Sequence, residues 1–217
     1  MTAKQLIIEA YFALLNKKKR LLQLLPIPLL IIILIPTIRA PEMGLPITFI
    51  TAIVNWILYS MVAIIVHRAL ILGSDSVSKK TLVPNQRVFK FMIYSIAGGI
   101  ILIPAFLLIY IPTVGIFLTY IGVAYLMSRS FLVFPDIAVD GDWSFGESWK
   151  VTKPHQLAVF LAIGALPISI GFLEQLLWRI PNIGILLSIL SSISSVFTIA
   201  VISVTYDHLK NSIHTSD

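Results

Sequence analysis

Long apolar runs separated by short polar breaks dominate this chain. Six runs approach the roughly 20 residues a helix needs to cross the hydrocarbon of a bilayer: Leu21–Ile38, Ile47–Ile65, Val88–Ile109, Val114–Phe134, Leu157–Leu177 and Ile183–Val204. Within each successive pair the break contains Pro-x-x-Gly, at Pro41–Gly44, Pro112–Gly115 and Pro181–Gly184, with the glycines 71 and 69 residues apart. Two copies nearly coincide, Ile111-Pro-Thr-Val-Gly-Ile-Phe-Leu118 and Ile180-Pro-Asn-Ile-Gly-Ile-Leu-Leu187. Proline fixes φ and glycine tolerates positive φ, so each break predicts a tight turn between two helices. The pattern predicts an all-α, polytopic membrane protein with six transmembrane helices. They form three helical hairpins, over about 21–72, 88–134 and 157–206 of a transmembrane domain at 21–217.

Prolines repeat with the hairpins. The first helix of each carries an internal proline, Pro26 and Pro28, then Pro104, then Pro167, whereas the second helices carry none before their inner ends. A proline frees a carbonyl and bends a helix, which a bilayer tolerates where neighbours cover the backbone. The bent set is therefore expected to face protein.

Two polar-apolar segments have a different period. Residues 2–16 read as an interfacial amphipathic helix with Ile7, Tyr11, Leu14 and Leu15 on one face, and the basic junction Lys17-Lys18-Lys19-Arg20 completes this N-terminal segment, 1–20. Ahead of the fifth run, Ser144-Phe-Gly-Glu147 matches a capping box, Trp149 and Val151 follow, and Pro154 predicts the helix end. Residues 76–90, with Lys79, Lys80 and Arg87, read as a degenerate third version.

Composition agrees with lipid as solvent. Hydrophobic residues make up 58% and charged residues 12%, and mean hydropathy is +0.95, against about a quarter charged in soluble domains. The formal charge of +6 lies beside the apolar runs, which points to topology and lipid headgroups and away from nucleic acid. Of the lysines and arginines, all but Arg39 and Arg179 fall in the N-terminal segment, the two even-numbered inner connections and the tail. The positive-inside rule then places both termini in the cytoplasm and the three Pro-x-x-Gly turns outside. Trp178, Tyr110 and Tyr206 sit near span ends as interfacial aromatics do, while Trp56 lies mid-span. Without cysteine, disulfide and thiolate chemistry are excluded. The opening segment lacks the small-residue cleavage site of a signal peptide.

Candidate chemistry is sparse. Arg129, near the inner end of the fourth run, and Arg68 with His67, at the inner end of the second, are candidates for an anionic headgroup. Arg68 precedes Asp75 by seven residues and Arg129 precedes Asp136 by seven, so anchoring plus a local ion pair is the competing reading. Asn55 and the series Ser188, Ser191, Ser192 and Ser195 are polar intramembrane positions, suited to helix packing or to a polar path. Gly98, Gly99, Gly164 and Gly171 suit close packing. Asp136, Asp140 and Asp142 lack calcium-loop spacing, and the histidines lack zinc spacing, so neither a metal nor a cofactor is expected. Neither a catalytic elbow nor a phosphate loop is present.

The stretch Arg129-Ser-Phe-Leu-Val-Phe-Pro135-Asp136, with Gly141-Asp142-Trp143-Ser144-Phe-Gly-Glu147-Ser148-Trp149, resembles the YciC-like bacterial inner-membrane proteins. It is also similar to the membrane domain fused to some glycerophosphodiester phosphodiesterases. The ending Thr205-Tyr206-Asp207-His208-Leu209 and the opening Glu9-Ala-Tyr11 fit the same group. The resemblance implies a six-helix inner-membrane protein and carries over no catalytic site. The resulting expectation is a non-enzymatic protein that binds or transports lipids or small amphiphiles or serves envelope homeostasis. Its expected partners are membrane lipids with anionic headgroups, with a homo-oligomer or protein partner left open. The alternatives are a permease subunit served by a separate ATPase, and a scaffold or immunity-type protein.

Overall fold

The structure is a computed structural model that describes residues 1–38, 45–78, 81, 83–180 and 183–214. Among these residues it is all-helical. Five helical segments are long and apolar enough to cross a membrane: Leu45–Ile71, Gln86–Tyr110, Gly115–Ala138, Phe145–Leu177 and Gly184–Ser212. The expected first span is divided instead. Helix α1 (Ala3–Leu24) runs through the basic junction, and a shorter apolar helix, α2 (Pro26–Ile38), follows it. The amides of Leu25 and Leu29 still bond to Leu21 and Leu25, so the helix path continues past Pro26 and Pro28.

Helix α1 is capped by a reciprocal Thr2–Gln5 box. Its buried face is Leu6, Ala10, Leu21 and Leu24; of the expected face, Tyr11 and Leu15 are exposed, Ile7 is half-buried and Leu14 packs partly against the core. The reason is that the helix is apolar over two adjacent faces. The one carrying small Ala10 approaches α3 (Leu45–Ile71) and α10 (Gly184–His214) closely, leaving Ile8, Tyr11, Phe12 and Leu15 on the outside.

Of the three Pro-x-x-Gly turns, Pro41–Gly44 lies outside the described residues, as do Pro181 and Asn182 of the third. The second joins α4 (Gln86–Leu107) to α5 (Gly115–Ser130), and here the left-handed residue is Thr113, at φ 69°. Gly115 is needed for space. A Cβ there would sit 2.6 Å from the Leu108 carbonyl oxygen and 2.7 Å from that of Ile109. Lys79 and Lys80 are likewise outside the described residues, and the helix after them begins at Gln86, capped by Asn85.

The proline-bearing helices are not the better covered ones. Only 11% of the apolar window of α4 is buried, against 39% for α3 and 39% for the helix starting at Gly115. Pro104 is exposed. Close backbone approach is made at a glycine instead. The fifth segment passes from α7 (Phe145–Thr152) through a 3₁₀ turn at Lys153–His155 and α8 (Gln156–Val159) into a π-helical stretch, Phe160–Ala165. Helix α9 (Leu166–Leu177) continues from there. Within the π stretch, a Cβ on Gly164 would lie 2.1 Å from the Ala124 carbonyl oxygen of α5.

At the end of the bundle holding Arg68 and Tyr206, side chains lock the helices together. The seven-residue spacings do not form the expected pairs. Arg68 bonds to the Ala138 carbonyl at 2.8 Å and to Asp140 at 3.0 Å, and Arg87 also donates to Asp140. Asp136, buried in α6 (Val133–Ala138), accepts from the Trp143 amide at 2.7 Å and from the Tyr206 hydroxyl at 2.6 Å. Asp140 turns the chain at φ 65° to make this possible.

Candidate functional site

A cavity of about 480 Å³ lies between α3, α4, α9 and α10, with Phe131 and Phe134 closing one side. Its size falls in the range of small-molecule sites, roughly 300–1,000 Å³. Its wall on α10 follows one helical stripe: Ser191, Ser194, Ser195, Thr198, Ile199 and Ile202. At 1.5 Å per residue that stripe is roughly 16 Å long, so the cavity extends along the bundle as a slot.

Glycines open the slot. A Cβ on Gly99 or on Gly171 would meet nothing within 4 Å, and one on Gly98 would meet Phe134 at an ordinary 3.8 Å. Gly164 therefore serves close packing, whereas Gly99 and Gly171 leave open space on the facing walls formed by α4 and α9. Pro167 and Ile170 complete the α9 wall.

Polar groups mark the two ends. At one end, the Ser191 hydroxyl donates to Glu174 Oε2 at 2.5 Å, while Glu174 Oε1 is buried with no hydrogen-bond partner among the described residues. Tyr59 on α3 lies within electrostatic reach of this carboxylate. At the other end, His67 Nδ1 pairs with Ser203 Oγ at 2.7 Å. The Ser203 hydroxyl also lies 2.8 Å from the Ile199 carbonyl oxygen. Neither lysine nor arginine is among the described residues lining the cavity.

Glu174 was not among the candidates read from the sequence. The signal was there, since it is the one acidic residue inside the six apolar runs. An ionisable group at such a position marks function by default.

The serine series divides between two tasks. Ser191 and Ser195 face the cavity. Ser188 and Ser192 bond back to the Gly184 and Ser188 carbonyls of their own helix, and Ser192 is buried in packing. Asn55 does not line the cavity, and its Oδ1 is buried without a partner among the described residues.

The arginines lie elsewhere. Arg129 is 6% exposed, its guanidinium 5.2 Å from the Trp149 ring and bonded to the Trp149 carbonyl, with Nε and Nη1 unpaired among the described residues. In return Ser148 donates to the Arg129 carbonyl and Trp149 Nε1 to Ser130. Arg129 thus clamps α5 onto the capped helix α7. Arg68 is turned to Asp140, as described. Of the three headgroup candidates, only His67 lines the cavity. No group of metal-ligating side chains is assembled among the described residues. Comparison with protein-family models, curated proteins and solved structures finds no match for this chain.

Proposed function

We propose that this is an integral membrane protein that holds a lipid or small amphiphile in the slot between α3, α4, α9 and α10. The observation that carries the reading is the slot itself. It is long, mostly apolar and about 480 Å³ in volume, with hydroxyls along its α10 wall, Glu174 at one end and His67 at the other. That pattern suits a molecule with a chain and a head.

The chain crosses the membrane six times in this proposal. The first crossing uses the end of α1 together with α2, and the three hairpins place both termini in the cytoplasm. The basic residues support it, as does the pairing of Glu9 in α1 with His208 in α10, which brings both near-terminal segments to one end of the bundle. The exposed Ile8, Tyr11, Phe12 and Leu15 of α1 then lie in the inner interface.

Native mass spectrometry on protein released from lipid nanodiscs tests the binding claim. Wild type should retain an amphiphile adduct, and Gly171→Phe, which fills the slot without a Cβ clash, should lose it. Adducts equal in both proteins would place any bound lipid outside the slot and end the proposal.

A further inference from the structure

Among the described residues, the slot has one acidic wall residue and no lysine or arginine. From this we infer that its occupant carries a cationic amine head, recognised by Glu174 with Ser191. The inference rests on the amphiphile-binding reading and adds to it the charge of the ligand.

Three observations converge. Glu174 lines the slot near its Trp178 end, about one turn inside the C-terminus of α9. One carboxylate oxygen is held by Ser191, which fixes the group on the cavity side of α10, and the other is buried without a donor among the described residues. A buried acceptor left unpaired is unfavourable, and an ionised one more so. The terminal torsion of a glutamate is soft, so a modest rotation turns Oε1 into the cavity the residue already lines.

A bound anion would instead face an unscreened carboxylate with no cation among the described lining residues. A neutral head would gain one hydrogen bond. An ammonium gains the same bond together with the attraction of opposite charges in a site of low dielectric. Below the head, the chain would run along Gly171, Gly99 and Ile199 toward His67. At that end His67 Nδ1 is already occupied by Ser203. The slot is thus polarised, with its single acid at one end.

Three radiolabelled probes of equal chain length separate the possibilities: dodecylamine, dodecyl sulfate and dodecanol. They are offered to the full chain in nanodiscs of zwitterionic lipid, with empty discs subtracted. Dodecylamine should bind saturably and roughly tenfold more tightly than either other probe. Glu174→Gln should bring it down to the dodecanol level while dodecanol binding persists. Gly171→Phe should abolish saturable binding of all three, with Gly99→Phe as its replacement if that variant does not fold.

Equal binding of the three probes, unaltered in Glu174→Gln and lost in Gly171→Phe, overturns the amine assignment and leaves the amphiphile reading standing. Preference for dodecyl sulfate overturns it in the same way. Absence of saturable binding by any probe, or binding indifferent to both glycine variants, removes the underlying reading and the assignment with it.

Discussion

Asp136 and Gly141 share a space that has room for only one side chain. A Cβ on Gly141 would lie 2.2 Å from both carboxylate oxygens of Asp136, which already receive the Trp143 amide and the Tyr206 hydroxyl. Gly141→Ala should therefore expel the carboxylate and destabilise the protein by about 2 kcal/mol or more, read as a lower thermal midpoint in detergent. Tyr206→Phe removes one donor from a buried acceptor and should cost about 1–3 kcal/mol; an unchanged midpoint would contradict this role. Asp140 adds a pH-dependent part. Its carboxyl is held below the ordinary aspartate value of 3.8, chiefly by the hydrogen bond from Arg87, with Arg68 adding to it and partial burial opposing. A depressed carboxyl contributes stability above its ordinary value and loses it as pH falls through the lower folded value. The stability gap between wild type and Asp140→Asn should be present at about pH 6 and shrink toward about pH 3. The gap is small because Asp140 is half exposed.

At the scale of elements, glycine decides where helices meet and where they part. Gly164→Ala pushes a methyl into the Ala124 carbonyl, which should separate the π-helical stretch from α5 and cost about 1–3 kcal/mol. Thermal unfolding beside the near-neutral Gly99→Ala checks it. The sequence could place both kinds of glycine but could not tell them apart, because the difference lies in what stands opposite. The long apolar helices, the Ser144–Glu147 box and the helix at the N-terminus were legible from period and capping chemistry. The buried face of α1 was not, since two of its faces are apolar and only docking chooses between them. The pairing of Arg68 and Arg129 was also hidden. Each finds its partner through tertiary contact, with Asp140 and Trp149 in place of the acids seven residues on. Glu174 shows the opposite case, a site residue plain in the sequence as a single acid within an apolar run.

On the scale of the whole molecule, the account needs hydrocarbon around the bundle and an even number of crossings. Five helices meet the length and hydropathy of a span, and α2 is shorter. Five crossings would leave the termini on opposite faces, and six return them to the same face. Only the six-crossing arrangement keeps the N-terminal lysines on the same face as the other basic residues. The absence of cysteine makes the test clean. Single cysteines are introduced at Lys18, at Tyr110 and after residue 217, and intact bacterial cells are treated with a membrane-impermeant maleimide. The account predicts labelling at Tyr110→Cys in intact cells, and at the other two positions only after lysis. Labelling of one terminal cysteine but not the other in intact cells would contradict it.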